Sequence, residues 1–236
     1  MAQIFIHPIY IGSESTYGAN QLQGYDDAIV SYLGVGTHID GFAHVAVNGS
    51  HYNSVKTEDV IRPNGAIKYG IDTIPPIVGR GVLLDMAGAA GVAMLPGGAV
   101  FNRKELEEVQ EREGIQIRKG DVVLMNTGWL SMQETDRKTA FATTPGLGEE
   151  GAEYLAQLGV VAIGQDAWIP DAMPAEDPCN FLPIHSILLV QHGVHILENI
   201  KTEELAADKA YEFFFVLAAP RFKGSLQGVM HPVAIR

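Results

Sequence analysis

Short apolar segments that alternate with helical segments are the feature that most restricts the fold of this chain. Ile77–Asp85, residues 121–126 and residues 160–166 each have the length and apolar content of a buried strand. Segments with the spacing and end signals of helices lie between and after them. Because strands and helices that alternate in this way form layered sheets, the pattern predicts an α/β fold with some parallel pairing.

Local end signals define the predicted helices. Asn102 and Glu105 have the spacing of a capping box, and Gly114 is a typical C-terminal glycine, so a helix is predicted between them. The other predicted elements are helices over residues 149–158, 183–191 and 202–209 (the last capped by Thr202), a strand over 194–199 and a last strand over 211–219. Residues 12–24 are rich in Gly, Ser, Asn and Gln and are predicted to be irregular and exposed.

Composition limits the domain count and the classes of partner. The chain has 236 residues, of which 47% are hydrophobic, and this suits one domain over residues 1–236. Twenty-eight acidic residues against 16 basic ones give a formal net charge of −12. Because nucleic acid and anionic membranes are bound through basic patches, neither is an expected partner.

Three features predict a soluble, cytoplasmic protein. The sole cysteine, Cys179, excludes an intrachain disulfide and suits a reducing compartment. The N-terminus has no basic segment ahead of an apolar run, so no secretory signal is expected. The strongly apolar run over residues 213–219 is too short to span a bilayer.

One short segment concentrates groups that bind metal ions. His38 and Asp40 follow the turn residues Gly36 and Thr37, and His44 comes four residues after Asp40. If the segment is extended, His38 and Asp40 project from one face, and a turn after Asp40 brings His44 back beside the carboxylate. Imidazole and carboxylate are ligands of Zn²⁺, Mn²⁺ and Fe²⁺, so the segment predicts half of a metal site.

A later segment supplies candidates for the other half. His185 lies near the start of an apolar helical segment, and Glu198 shares the face of a predicted strand with Val194 and Ile196. A carboxylate on an apolar strand face is costly unless it is paired or bound to a metal. Two explanations stay open for Glu198, namely metal binding or an ion pair with Arg80 or Arg221.

The ordered motifs of this chain resemble those of the cyclase family of metal-dependent hydrolases, which includes bacterial kynurenine formamidase and isatin hydrolase. The family motif His-x-Gly-Thr-His-x-Asp-x-x-x-His aligns with residues 34–44. Further matching segments follow in the same order as in the family, up to residue 199. The other segments that carry it are residues 80–85, 120–124, 127–129, 145–146, 185–189 and 197–199.

The resemblance implies a fold, a site and an activity. The fold is a swivelling β/α domain with a mixed sheet and flanking helices, usually assembled as a homo-oligomer. His38, Asp40, His185 and Glu198 would bind a divalent metal, Zn²⁺ or Mn²⁺, and His44 would be the catalytic general acid/base. The implied reaction is hydrolysis of a C–N bond in a small cyclic amide or aryl formamide by a metal-activated water.

The chain departs from the motif at its first position. Gly34 stands where the motif has a histidine ligand, so the first half of the site lacks one ligand. We therefore expect one bound ion rather than two. The alternative functions are a lactone hydrolase, a metal-dependent cyclase or lyase of metabolite biosynthesis, and, because of Gly34, a metal-binding protein without activity.

Overall fold

An eight-stranded mixed sheet organises the fold of the computed structural model, which describes residues 3–8 and 16–236. The strands are β1 (Gln3–Pro8), β2 (Tyr25–Val30), β3 (His38–Asp40), β4 (Ile61–Arg62), β5 (Gly65–Ala66), β6 (Ile77–Asp85), β7 (Val100–Phe101), β8 (Val122–Asn126), β9 (Gly146–Leu147), β10 (Ala162–Gln165), β11 (His195–Glu198), β12 (Glu212–Leu217), β13 (Gln227–Val229) and β14 (Val233–Ile235). The sheet has the order β13-β3-β11-β10-β8-β6-β12-β14, and its central strands β11, β10, β8 and β6 are parallel. The outer strands join it in antiparallel fashion.

Helices cover the sheet on its faces and connect the parallel strands. They are α1 (Met86–Ala89), α2 (Arg103–Glu113), α3 (Met132–Thr135), α4 (Arg137–Ala142), α5 (Glu149–Gln157), α6 (Pro183–His185) and α7 (Glu203–Ala207), with single 3₁₀ turns at Tyr52–Ser54, Thr57–Asp59, Ile71–Thr73 and Trp129–Ser131. None of the helices in the described part of the chain is long and apolar enough to cross a membrane.

Both faces of the central strands are buried, which explains their nearly continuous apolar sequences. In β6, Val82 and Leu84 belong to the core on one face, while Leu83 belongs to the core on the other. The first core also contains residues of α2 and α5, and the second includes Phe213 and Phe215 of β12. The predicted α/β fold with a mixed sheet and flanking helices is therefore confirmed.

Several predicted elements form as the local signals indicated. The strand β6 has the predicted bounds, and α2 begins with a capping box in which Asn102 and Glu105 each bond the other's backbone. Gly114 ends α2 in the left-handed conformation at φ 67°. Residues 16–24 are irregular and mostly exposed, while the rest of the predicted irregular segment, residues 12–15, lies outside the described residues.

Two predictions near the C-terminus are wrong. Thr202 does not cap α7 with its side chain, because its hydroxyl donates to Asn126 Oδ1 at 2.8 Å. The strand β12 is not the last one, since β13 and β14 follow it and pair with opposite ends of the large sheet. In addition, α6 continues directly into a wide π-helical turn over Ser186–His192 instead of a regular helix. The missed strand β13 proves important for the site.

Candidate metal centre

The strand β3 lies between β11 and β13, and its register places functional side chains next to each other. His38 is directly opposite Glu198 of β11, and Asp40 is directly opposite Gln227 of β13. Residues opposite each other on neighbouring strands point to the same face of a sheet. The alternation predicted for His38 and Asp40 thus puts four polar side chains on one face at the end of the sheet.

His185, at the end of α6, completes a cluster with three of these side chains. His38 Nε2 lies 3.0 Å from Glu198 Oε2, and His185 Nε2 lies 3.3 Å from Glu198 Oε1. Asp40 Oδ1 is 3.6 Å from His38 Nε2, and Asp40 Oδ2 is 3.7 Å from His185 Nε2. All four residues are at most 5% exposed. The structure therefore brings the two halves of the predicted site together.

Hydrogen bonds on the far side of each ring orient both histidines. His38 Nδ1 lies 2.8 Å from the Gly36 carbonyl oxygen, and His185 Nδ1 lies 2.7 Å from Asp171 Oδ2. A carbonyl or carboxylate oxygen only accepts, so each Nδ1 carries the hydrogen. In the neutral ring, Nε2 is then a lone-pair donor that faces the cluster, which is the arrangement of a metal-binding imidazole.

The centre of the cluster is rich in acceptors and poor in donors. Asp40 Oδ2 and Glu198 Oε1 are buried and accept no hydrogen bond of regular geometry within the described residues, although both lie near His185 Nε2, at 3.7 Å and 3.3 Å. Two carboxylates buried in this way are costly unless a positive charge lies between them. Two imidazoles and two carboxylates are a suitable ligand set for a divalent cation such as Zn²⁺ or Mn²⁺. The residues present therefore fit the metal that the sequence predicts.

Burial and neighbouring charges shift the pKa values of three residues of the cluster. Burial and the neighbouring charge of Glu198 raise the pKa of Asp40 to about 7. Burial also opposes ionisation of Glu198, but its hydrogen bonds to His185 and His38 outweigh burial and lower its pKa. Burial lowers the pKa of His38, yet Glu198 and Asp40 outweigh it and raise that pKa to about 9. Without a cation, the cluster thus retains protons.

His44 differs from the other two histidines in its surroundings. A turn in which the His44 N–H donates to the Gly41 carbonyl returns the ring toward Asp40, as the sequence predicted. Its ligand atom lies within 4.8 Å of those of Asp40 and His185. Burial and the positive charge of His185 lower the pKa of His44 to about 4. His44 is therefore neutral at pH 7.

A cavity of about 450 Å³ opens onto this cluster. His38, His44, His185 and Glu198 form part of its wall. The rest of the wall includes Tyr32, Arg137, Phe141, Trp168, Ile169 and Leu182. The Phe141 and Trp168 rings lie 5.5 Å apart, and Trp168 Nε1 is buried with no hydrogen-bond partner in the described chain. The cavity thus has an aromatic wall.

The alternative explanation for Glu198 is wrong. Arg80 pairs with Asp121 and Glu212, and Arg221 donates to the Asp72 carbonyl oxygen. Neither guanidinium contacts Glu198, whose partners within the described residues are His38 and His185.

Two residues of the site escaped the sequence analysis. Asp171 lies in a proline-rich loop 14 residues before His185, and its role depends on the fold of that loop. Gln227 lies on β13, which the sequence did not predict as a strand. The local sequence shows Asp171 only as an acid that follows Pro170, and it gives no signal for Gln227.

Comparisons with known proteins agree with this fold. The family model described as "Putative cyclase" matches residues 6–172, which is more than half of the chain. Among curated proteins, no sequence match was found.

Solved structures provide three informative neighbours. A crystal structure of a novel cyclase is 24% identical with a TM-score of 0.85, and the alignment covers 99% of this chain and 80% of that one. Isatin hydrolase A from Ralstonia solanacearum is 20% identical with a TM-score of 0.72, covering 99% and 82%. An isatin hydrolase bound to the product analogue thioisatinate is 17% identical with a TM-score of 0.69, covering 98% and 81%. At these identities the neighbours establish a shared fold, and together with the family match they show that the chain belongs to the Putative cyclase family.

Proposed function

We propose that this protein is a metal-dependent hydrolase that cleaves a C–N bond in a small cyclic amide or aryl formamide. The observation that carries the proposal is the convergence of two buried carboxylates and two oriented imidazoles at one end of a cavity. One oxygen of each carboxylate, Asp40 Oδ2 and Glu198 Oε1, is buried there without a hydrogen bond of regular geometry in the described chain. His38, Asp40, His185 and Glu198 would bind one Zn²⁺ or Mn²⁺ ion.

The residues divide the chemistry between binding and proton transfer. A bound divalent cation would polarise the substrate carbonyl and make a water molecule more acidic. His44 Nε2 would accept a proton from the attacking water and return it to the leaving nitrogen. All three histidines line the cavity, but His38 and His185 are held through Nδ1 with Nε2 facing the carboxylates, so proton transfer is assigned to His44.

The cavity favours a small, planar substrate. The tilted pair of Phe141 and Trp168 offers an aromatic wall against which a planar molecule can stack. Two of the similar structures are isatin hydrolases, and isatin is a bicyclic, planar cyclic amide. We expect such a small molecule to be the substrate, rather than nucleic acid, and we expect the protein to act in the cytoplasm.

The proposal is tested by metal content and turnover. Inductively coupled plasma mass spectrometry should find about one ion per chain in the wild type and little in Asp40→Ala. Asp59→Ala, which removes an exposed carboxylate away from the cavity, is the matched control and should keep the ion. Matched lactam, aryl formamide and lactone substrates in H₂¹⁸O then identify the bond that is cleaved. A wild type without metal after loading with both ions, or product without solvent ¹⁸O, would contradict the proposal.

We further propose a homo-oligomer, supported by the antiparallel pair of β1 and β2. Every residue of these two strands is exposed, including Ile4 at 68%, Ile6 at 69% and Ile29 at 65%. Apolar side chains in such a continuous patch are typical of a protein interface. Light scattering should show a dimer or larger assembly, and Ile4→Asp with Ile6→Asp should shift it toward the monomer. A monomeric wild type would refute this part of the proposal.

A further inference from the structure

The side chain of Gln227 fills the space in front of Gly34. A Cβ atom added at Gly34 would lie 2.5 Å from Gln227 Oε1, 2.7 Å from Nε2 and 2.8 Å from Cδ. Real Cβ atoms do not approach other atoms so closely, so no larger residue fits at position 34 while Gln227 keeps this position. The family motif has its first histidine at position 34, and here the carboxamide of a distant strand occupies the space that such a side chain would enter.

The carboxamide of Gln227 also reaches the centre of the cluster. Its Nε2 atom lies 2.8 Å from Asp40 Oδ1 and 3.4 Å from both His38 Nε2 and His44 Nε2. Ligand atoms that share one cation at about 2.1 Å lie about 3 Å apart, so the separations from the two ligand atoms Asp40 Oδ1 and His38 Nε2 match those within one coordination sphere. The register supports this position, since Gln227 is directly opposite Asp40 on the neighbouring strand.

We propose that Gln227 is a metal ligand that replaces the missing motif histidine, binding through its carboxamide oxygen. The inference rests on the proposed function, because it assumes that a divalent cation binds at this cluster. Rotation by half a turn about the Cγ–Cδ bond exchanges the amide nitrogen and oxygen without altering the shape of the group. Without a cation the N–H₂ group donates to Asp40, whereas a cation attracts the carbonyl oxygen and repels the N–H₂ group.

The exchange of an imidazole for an amide oxygen has a consequence for metal choice. Imidazole nitrogen suits Zn²⁺, whereas carboxylate and carbonyl oxygens suit Mn²⁺ better. The site in this chain therefore has the two oriented imidazoles, two carboxylates and one amide oxygen. We expect it to bind Mn²⁺ more favourably, relative to Zn²⁺, than a variant in which the histidine is restored.

The test measures metal binding directly, with Co²⁺ absorption spectra and with Mn²⁺ and Zn²⁺ affinities by competition with a chelator. Gln227→Leu keeps the shape but removes the oxygen, and we expect it to weaken Mn²⁺ binding about 10–100-fold and to change the Co²⁺ spectrum. Gln227→Glu keeps an oxygen ligand and should bind at least as tightly as the wild type. Gln133→Leu is the control, because Gln133 lines the same cavity but bonds to Asn199 at 2.6 Å.

A double variant tests the replacement itself. Gly34→His combined with Gln227→Gly removes the collision and returns an imidazole to the motif position, so it should recover metal affinity and shift the preference toward Zn²⁺. Thermal unfolding in the presence of chelator identifies any variant that does not fold. If Gln227→Leu does not fold, Gln227→Met takes its place, because methionine is apolar and similar in length to glutamine.

The outcomes separate this inference from the proposed function. If the folded Gln227→Leu variant binds metal with the affinity and spectrum of the wild type, Gln227 is only a hydrogen-bond partner of Asp40 and the inference is overturned. If the double variant binds as weakly as Gln227→Leu, the replacement of one ligand by the other is likewise refuted. If the wild type itself binds no metal, the proposed function and this inference fail together.

Discussion

His185 and Asp171 form a 2.7 Å hydrogen bond between Nδ1 of the ring and Oδ2 of the carboxylate. The other oxygen, Asp171 Oδ1, accepts the Ile184 backbone N–H at 2.8 Å, so the carboxylate is held at both atoms. This arrangement fixes both the direction of the imidazole and the nitrogen that carries the hydrogen. A carboxylate behind a ligating histidine also increases the basicity of its Nε2 atom.

Asp171→Asn should therefore weaken metal binding although residue 171 does not itself touch the cation. The amide can still accept from Nδ1, but its charge is lost, and we expect affinity to fall about 10–100-fold. Calorimetric titration with Mn²⁺ measures the change. Asp177→Asn, an exposed acid of the same loop, is the control and should bind like the wild type. Equal affinity in both variants would show that Asp171 only anchors the loop.

Bound metal should stabilise the folded chain, because the cluster forms only in the folded state. A cation at 100 times its dissociation constant adds about 2.7 kcal/mol to the free energy of unfolding. For a chain of this size that corresponds to an increase of about 5–10 °C in melting temperature. Scanning calorimetry with and without chelator should show this increase for the wild type and for the surface variant Glu204→Gln. In Glu198→Gln the increase should be much smaller, and an undiminished increase would remove Glu198 from the ligand set.

The sequence predicted the part of the site that depends on local structure. His38 and Asp40 alternate on one extended strand, and His44 returns through a tight turn, so their spacing alone indicates their proximity. The helix α2 and the strand β6 were predicted for the same reason, since capping residues and apolar runs act within a few neighbours.

The rest of the site depends on contacts between distant segments, which no local pattern encodes. Gln227 approaches Asp40 across 187 positions because β13 pairs with β3, and that short strand has no alternating pattern of its own. Thr202 shows the same limit at a helix end, where a tertiary bond to Asn126 replaces the predicted cap. The Thr202 hydroxyl donates to the buried Asn126 Oδ1 atom and does not accept from a backbone N–H of the helix.

Gly128, two residues after β8, should tolerate no side chain. Its φ of +76° is in the left-handed region, and an added Cβ would lie 2.2 Å from the Ala93 carbonyl oxygen. Gly91 has a similar φ of +71° but open space around the Cβ position, so Gly91→Ala measures the backbone strain alone. We expect Gly91→Ala to cost about 1 kcal/mol and Gly128→Ala to cost about 2–3 kcal/mol more. Urea unfolding measures both, and equal costs would mean that the Ala93 segment shifts freely.

Glu113 should make the stability of the protein depend on pH outside the metal site. Burial raises the pKa of this carboxyl from 4.5 to about 7, although its Oε1 accepts the Asp85 backbone N–H, and Oε2 has no partner among the described residues. Between pH 4.5 and about pH 7 the folded state binds more protons than the unfolded state. The contribution of Glu113 to the free energy of unfolding is therefore full below about pH 4.5 and is lost as the pH rises through about 7.

Glu113→Gln removes this dependence because the amide keeps the acceptor for the Asp85 N–H and carries no charge. Above pH 7 the variant should be more stable than the wild type by about 1 kcal/mol, a value reduced from the full pKa shift because the side chain is only half-buried. Below about pH 4.5 the two proteins should have equal stability. Urea unfolding at pH 4.5, 6 and 8 measures the difference, with Glu111→Gln, an exposed residue of the same helix, as the control. A difference that does not grow with pH would show that Glu113 is ionised at little cost in the folded state.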